Sequence, residues 1–237
     1  MNISMNPNSE LEQSIVSVPD VVQVPDILVS QARQFQQVMM MYTCAIREVK
    51  TKLEVLNDEL SVRNQRNPIE MIKSRVKKPM SIVEKLQRRG LPISLESMVD
   101  HLDGVAGIRG ICSFVDDIYE VADMLVRQDD ITVVAIKDYI KNPKPNGYRS
   151  YHMIVEIPVF FSDCKKPMRV EVQIRTIAMD FWASLDHQLK YKKEVVNEKE
   201  ISEELRQCAE VIAQTDQKMY EIRQQIESQG IQVRRSS

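Results

Sequence analysis

An acidic side chain sits between basic ones on a segment with the alternation of a β-strand. Residues 168–175 read Met-Arg-Val-Glu-Val-Gln-Ile-Arg. Because successive side chains of a strand point to opposite faces, the apolar residues share one face, and the other face carries Arg169, Glu171, Gln173 and Arg175. A carboxylate flanked by arginines can accept a proton from a substrate hydroxyl or bind Mg²⁺, so Glu171 is the candidate catalytic residue and metal ligand. An ordinary amphipathic strand would show the same alternation.

A basic cluster precedes this strand in the chain. Residues 75–78 read Arg-Val-Lys-Lys, and Lys85 and Arg88 follow on a predicted helix at a spacing that puts them on one face. Cations that converge from a loop and a helix suit a polyphosphate, because arginine offers a planar fork to phosphate oxygens and lysine offers a point charge. A solvated basic face is the alternative interpretation.

Residues 141–152 combine turn-forming, basic and aromatic side chains in the order Lys-Asn-Pro-Lys-Pro-Asn-Gly-Tyr-Arg-Ser-Tyr-His. The prolines and the glycine predict a fixed loop. Lys144 and Arg149 supply positive charge, and Tyr148 offers a flat ring on which a base can stack. His152 enters the next strand, and a single histidine of this kind is structural in many proteins. A binding loop and a structural turn are therefore both open.

Helices must position the basic cluster. Apolar residues at three- and four-residue steps predict a helix over about 27–60. A short helix is expected from Pro68, since proline is tolerated in a first turn. Another is expected from Pro79, with Ser81 and Glu84 at the spacing of a capping box.

The middle of the chain is rich in predicted strands, at 108–115, 131–137, 151–159 and 168–175, with helices ending near 127 and covering 177–191. This order predicts an α/β (α+β) fold, in which a mixed sheet is flanked by helices. A final helix over about 200–228 carries an apolar seam with alternating steps of four and three. Such a seam is typical of a helix that packs on its own domain or on another helix.

The composition limits the classes of protein that fit. The chain has 237 residues, 43% of them hydrophobic, which is enough for one large domain with a buried core. Its formal net charge of −2 argues against a general basic coat for nucleic acid. The four cysteines form no CxxC pair, and no signal pattern or membrane-length apolar run is present. A cytoplasmic protein is expected, with a flexible tail over residues 1–28.

Together these segments resemble those of a small alarmone synthetase, a single-domain member of the Rel/Spo family, over about residues 67–192. The matching motifs are Arg-Val-Lys at 75–77, Ala-Gly-Ile-Arg at 106–109, Gly-Tyr-Arg-Ser-Tyr-His at 147–152, Glu-Val-Gln-Ile-Arg-Thr at 171–176 and Ala-Met-Asp-Phe-Trp-Ala at 178–183. The Pro-Lys-Pro-Asn stretch at 143–146 and the Met-Asp-Phe-Trp stretch favour the RelP-like branch over the RelQ-like one.

The resemblance implies a nucleotidyltransferase-like synthetase fold with N- and C-terminal helical arms. It implies a GTP pyrophosphokinase that moves pyrophosphate from ATP to the 3′-hydroxyl of GTP or GDP, making (p)ppGpp, with Mg²⁺ as cofactor. The residues expected to hold the ATP phosphates are Arg75, Lys77, Lys85, Arg88 and Arg109. Those expected on the GTP side are Lys144, Tyr148, Arg149, His152 and Gln173. Glu171 is expected to act on the 3′-hydroxyl and to help hold the metal.

One departure from the family concerns the metal. The family has an aspartate five residues before the strand arginine, and counting back from Arg109 gives Gly104. Asp103 is one position earlier, and a one-residue shift turns a side chain to the other face of a strand. We expect Asp103 to reach the metal from the entrance of the strand.

Two alternatives stay open. One is a synthetase-like regulator, weakened by Gly104, that binds nucleotides or RNA without catalysis, although nothing in the sequence indicates RNA binding. The other is a helical scaffold whose sheet only packs. The predicted organisation is a tail (1–28), a synthetase domain (29–195) and an oligomerisation helix (196–230). The expected partners are ATP, GTP or GDP and further copies of the chain in a homotetramer, without a membrane.

Overall fold

The computed structural model describes residues 26–64, 66–190 and 197–235. Within these ranges six helices and five strands follow one another. In chain order they are α1 (Asp26–Asn64), β1 (Ile69–Val76), α2 (Pro79–Arg88), α3 (Leu95–His101), β2 (Ala106–Cys112), α4 (Val115–Val126), β3 (Thr132–Asp138), β4 (Tyr151–Phe160), β5 (Lys165–Thr176), α5 (Ile177–Lys190) and α6 (Glu198–Arg235). The predicted α+β fold, a mixed sheet flanked by helices, is confirmed.

The five strands form one sheet in the order β1-β2-β5-β4-β3. β2 and β5 are parallel neighbours, and the other three pairs are antiparallel. A parallel pair needs a long crossover, and here α4, β3 and β4 lie between the two strands in the chain. The pairing therefore brings the basic segments of the first half of the chain beside the acidic strand of the second half.

Helix α1 covers one face of the sheet. Its buried apolar residues recur at helical spacing and join a single cluster with the apolar face of β5, comprising Ala45, Val49, Leu53, Leu56, Leu60, Val170, Val172 and Ile174. Full burial of one valine, leucine or isoleucine of this cluster stabilises the fold by about 1.5–3 kcal/mol. Because α1 covers the apolar face, the polar face of the same strands lies on the opposite side.

The segment after Pro68 is a strand and not the short helix that the sequence predicts. It forms β1, an edge strand that pairs antiparallel with β2. Proline is tolerated both in a first helical turn and at the entrance of an edge strand, so the local signal is weak and the pairing across the sheet decides. As a consequence Lys73 and Arg75, two residues apart, lie on the same face of the sheet.

The two short helices after β1 also differ from the prediction. Helix α2 begins at Pro79 as expected, but Ser81 does not cap it. The N-cap residue is Lys78, which makes no side-chain capping bond, and Pro79 in the first turn places Ser81 inside the helix. Helix α3 is not predicted from the sequence. Ser94 caps it by accepting a hydrogen bond from the backbone N–H of Ser97 at 3.1 Å.

The C-terminal helix α6 packs on α5 and α4. Nε1 of Trp182 on α5 donates to the carbonyl oxygen of Leu205 at 3.0 Å, and Arg223 pairs with Asp116 of α4. Residues 26–28 belong to α1, and the rest of the predicted tail lies outside the described residues. The division into tail, synthetase domain and oligomerisation helix stays a prediction. None of the described helices is both long enough and apolar enough to cross a bilayer.

Candidate active site

The polar face of the sheet carries most of the predicted site residues in two rows that run across the strands. In one row Arg75 on β1 lies opposite Gly107 on β2, which lies opposite Glu171 on β5. The neighbouring row crosses β1, β2, β5 and β4 and comprises Lys73, Arg109, Gln173 and His152. Four strands thus contribute to one polar surface.

These rows border an open cleft of about 1180 Å³, which Arg75, Arg109 and Glu171 line together with residues of α5. A recess of about 210 Å³ shares these three residues and lies over Gly104 and Gly107. The cations of the 75–78 segment and the acid of the predicted strand therefore open onto the same cavity.

Glu171 lies at one end of a chain of hydrogen bonds. Its Oε1 is 3.4 Å from Nδ1 of His152, whose Nε2 is 2.8 Å from the hydroxyl of Tyr148. Arg175 donates to the same hydroxyl through Nη2. The hydrogen bond with His152 lowers the pKa of Glu171 to about 2, although burial acts against it, and burial lowers the pKa of His152. At neutral pH the ionised Glu171 accepts from Nδ1–H, which leaves Nε2 to accept from the tyrosine hydroxyl.

The cations expected to bind phosphate crowd one another beside the recess. Burial lowers the pKa of Lys77, and the charges of Lys85 and Arg75 lower it further. Burial also lowers the pKa of Lys85, where the charge of Arg89, and to a lesser degree that of Arg88, adds to the effect and Glu171 opposes it. Like charges held together beside a cleft are typical of a site that binds a polyanion.

Gly104 lies directly against Glu171. A Cβ atom at this position would be 2.8 Å from Oε2 of Glu171 and 3.7 Å from Nζ of Lys85. Asp103 is placed differently, because Nη1 of Arg169 holds its carboxylate at 3.2 Å. Asp103 is bound by an arginine of the same strand as Glu171 and is not among the residues that line the cleft or the recess, so its role at a metal stays a prediction.

The loop between β3 and β4 brings Tyr148 to the cleft and rests on α6. Nζ of Lys144 and Cζ of Arg175 lie 4.7 and 4.9 Å from the centroid of the Tyr148 ring. Gly147 has a φ of 86°, and a Cβ atom there would be 2.4 Å from Cβ of Ala209 on α6. The loop and α6 are therefore in direct contact, and only glycine allows the loop backbone to come this close to Ala209.

Arg149 does not line the cleft, although the sequence places it on the GTP side. Its Nη1 donates to the carbonyl oxygen of Ile140 at 3.1 Å, and its side chain lines two smaller cavities beneath α6. Neighbouring loop residues point in different directions here, since Tyr148 faces the cleft and Arg149 faces the helix.

Three further residues, Lys73, Arg175 and Asp180, belong to this surface but receive no role from the sequence. Oδ1 of Asp180 accepts from Arg109 at 3.0 Å and from Arg175 at 3.3 Å, and Oδ2 accepts from Lys73 at 3.2 Å. Recognition of β1 as a strand would have placed Lys73 beside Arg75. Asp180 lies within the matched motif at 178–183, but the motif alone does not indicate what Asp180 does.

Among the described residues that line the recess, Glu171 carries the one carboxylate that could bind a metal ion. Within the described ranges, no group of three or more His, Cys, Asp or Glu side chains could hold a metal by itself. Mg²⁺ is commonly bound through one or two carboxylates and completes its shell with substrate phosphates and water. Glu171 fits an ion that arrives with a nucleotide.

Comparisons with known proteins agree with this geometry. A family model described as a region found in RelA / SpoT proteins matches residues 74–196. GTP pyrophosphokinase YwaC of Bacillus subtilis (strain 168) is 41% identical over 202 residues, which cover 85% of this chain and 96% of YwaC.

Solved structures are similar over the same region. Small alarmone synthetase 1 from Bacillus subtilis bound to its product pppGpp has a TM-score of 0.74 at 36% identity, and the match covers 82% of this chain and 99% of that one. The same synthetase bound to AMPCPP has a TM-score of 0.70 at 34% identity, with 83% and 99% covered. The chain therefore belongs to the RelA/SpoT family, as one of its small alarmone synthetases.

Proposed function

We propose that the protein is a GTP pyrophosphokinase, which transfers the pyrophosphate of ATP to the 3′-hydroxyl of GTP or GDP. The observation that carries the proposal is the shared cleft, lined by Arg75, Arg109, Glu171 and Tyr148. Relatives named GTP pyrophosphokinase, and similar structures bound to pppGpp and AMPCPP, support the same reaction.

The triphosphate of ATP lies across the row that joins Arg75 to Glu171, where Gly107 leaves the space between them free of a side chain. The cations that hold it are Arg75, Lys77, Lys85, Arg88 and Arg109. Nε of Arg109 is buried and has no hydrogen-bond partner among the described residues. A buried donor of this kind is satisfied when a phosphate oxygen accepts from it.

The guanine base of the acceptor stacks on Tyr148. Lys144, which lies over the same ring, is exposed and can move aside at little cost. Lys144, His152 and Gln173 then lie along the nucleotide, while Arg149 takes no part. Because Tyr148 is hydrogen-bonded to His152, the base and the catalytic carboxylate are held in a fixed relation.

Glu171 receives the proton of the acceptor. The 3′-oxygen attacks the β-phosphorus of ATP, the bond from this phosphorus to the oxygen of the α-phosphate breaks, AMP leaves with that oxygen, and the hydroxyl proton passes to Glu171. Transition states of phosphoryl transfer are loose, so catalysis depends mainly on positioning, and a carboxylate of low pKa suffices as the acceptor. Nδ1–H of His152 orients this carboxylate.

Enzymes of this family generally use a divalent metal ion, and we propose that Mg²⁺ binds to Glu171 together with the nucleotide phosphates. When bound, such an ion offsets the negative charge of the phosphate oxygens. The four cysteines are free, in keeping with the expected cytoplasmic location.

Incubation with GTP, Mg²⁺ and ATP labelled on its γ-phosphate tests the proposal. We expect labelled pppGpp together with AMP. The variant Glu171→Gln keeps the shape of the side chain but removes its charge, so turnover should fall by roughly 10²-fold or more. Because the folded structure favours the ionised form of Glu171, the melting temperature should also fall, while the variant stays folded at the assay temperature.

Two outcomes would contradict these assignments. A wild-type protein that binds AMPCPP in calorimetry but forms no pppGpp would instead support the nucleotide-binding regulator. A Glu171→Gln variant with normal turnover would remove Glu171 from the reaction.

A further inference from the structure

One carboxylate holds three cations together at the edge of the cleft. Asp180 lies in the first turn of α5, with a side chain only 9% exposed. It accepts hydrogen bonds from Lys73 on β1, Arg109 on β2 and Arg175 on β5. Asp180 thus ties α5 to three strands of the polar face, and a single oxygen, Oδ1, serves both arginines.

The two arginines depend on Asp180 to different degrees. Arg175 has other acceptors, since Nε donates to Ser150 at 3.2 Å and Nη2 donates to Gln173 at 3.1 Å and to Tyr148. For Arg109 the structure gives one acceptor, Asp180, and a buried Nε without a partner among the described residues. Removal of the carboxylate should therefore release Arg109 and leave Arg175 largely in place.

We propose that Asp180 is a positioning residue, which holds Arg109 in the orientation that receives the triphosphate of ATP. Asp180 does not itself line the cleft or the recess, so it acts through Arg109 and does not contact the nucleotide. With three cations to one acid, the cluster keeps an excess of positive charge for a polyanion. The inference rests on the proposed function, because it assigns Arg109 to ATP.

Charge-assisted hydrogen bonds that are formed before the ligand arrives reduce the free energy spent on ordering side chains during binding. Without Asp180, three neighbouring cations repel one another and Arg109 must be ordered by ATP itself. Affinity for ATP should fall, while affinity for GTP, whose predicted ligands keep their contacts, should not.

The test compares Asp180→Asn with Asp117→Asn. Asp117 is a matched control, since its side chain is also buried and is held by two arginines, Arg66 at 2.9 Å and Arg223 at 3.7 Å, away from the cleft. Both variants lose a buried charge partner, so both should lower the melting temperature by on the order of 10 °C.

Only Asp180→Asn should change binding of the ATP-side ligand. We expect the Kd of AMPCPP, measured by calorimetry, and the KM for ATP to rise about tenfold or more, with the KM for GTP nearly unchanged. Asp117→Asn should keep all three constants. A folded Asp180→Asn protein with wild-type affinity for AMPCPP, or with equal losses for ATP and GTP, would overturn the inference.

A double-mutant cycle covers the case in which Asp180→Asn alone does not fold. The double variant Arg109→Met with Asp180→Asn removes one cation along with the acid. It should bind AMPCPP as Arg109→Met alone does, because the positioned group is already absent. A markedly weaker double variant would overturn the inference, since Asp180 would then act by another route. Failure of the proposed function would appear elsewhere, as a wild-type protein that forms no pppGpp.

Discussion

The carboxylate of Glu171 accepts a hydrogen bond from His152 through Oε1. Its other oxygen, Oε2, lies close to the backbone of Gly104. The folded structure lowers the pKa of both titrating groups of this pair, from ordinary values of 4.5 for Glu171 and 6.5 for His152. In acid the unfolded chain therefore binds more protons than the folded one, and the folded state loses stability as the pH falls. The folded state begins to lose stability below about pH 6.5, where His152 of the unfolded chain takes up a proton. It loses more between pH 4.5 and about pH 2, where Glu171 of the unfolded chain is protonated before that of the folded chain.

We expect the variant His152→Gln to remove the first part of this loss. Thermal melts at pH 8 and pH 5 check it: the drop in melting temperature between the two should be smaller in the variant than in the wild type. If both proteins lose the same number of degrees, His152 does not titrate as the structure implies.

Gly104 offers a second test at the scale of one residue. A side chain there meets the flexible end of Glu171, which can shift, so Gly104→Asp should place a second carboxylate beside the first. Two adjacent carboxylates repel each other without a cation and bind one more tightly with it. The Mg²⁺ concentration for half-maximal rate should fall, and Mg²⁺ should raise the melting temperature more than in the wild type.

Gly104→Asn is the control for that experiment, because it has nearly the same size and lacks the charge. Its response to Mg²⁺ should match that of the wild type. If the Asp and Asn variants behave alike, crowding at position 104 rather than metal binding explains both.

At the scale of elements, the contact between α6 and the Tyr148 loop links the C-terminal helix to the proposed acceptor subsite. Ala209 is buried against Gly147, so Ala209→Leu must push the loop away from the helix. We expect the KM for GTP to rise several-fold and the KM for ATP to stay the same, because the cations proposed for ATP lie on β1, on β2, on α2 and in the connection between β1 and α2. Steady-state kinetics check this.

Gln207→Leu adds the same side chain to an exposed position of α6 and should leave both constants unchanged. Equal effects of Ala209→Leu on the two substrates would indicate a general loss of packing instead.

The elements that the sequence predicts well are those with a strong local pattern. Helix α1, strand β5 and helix α6 each repeat their own period over many residues. The sequence does not predict β1, because its partner β2 is some thirty residues away and the pairing rather than the local residues decides its structure. The rows across the sheet depend on the same pairing, and so the roles of Lys73 and Asp180 follow only from the register and not from the motifs that contain them.

At the scale of the whole molecule, α6 carries large apolar side chains that the rest of the described structure leaves partly exposed. Along the part of α6 where Arg223 faces α4, Met219, Ile222 and Ile226 are 53%, 38% and 65% exposed. These residues belong to the predicted apolar seam, so we expect the seam to pair with another copy of the chain in a homotetramer.

Light scattering should give the mass of a multimer for the wild type and a lower mass when these three residues are replaced by glutamate. Phe160→Glu, which replaces an exposed apolar side chain at the end of β4, is the control and should keep the wild-type mass. A monomeric wild type would refute the seam as an interface.

The parallel pairing of β2 with β5 has a consequence for how activity arises during synthesis of the chain. Gly107 and Glu171 are in register but more than 60 residues apart, with α4, β3 and β4 between them. Contacts over such a separation form slowly, because a long loop must close first. A nascent chain that ends before β5 has the cations that we propose for the triphosphate but lacks Glu171, the proposed proton acceptor. We therefore expect pyrophosphate transfer to begin only after β5 has left the ribosome and joined the sheet.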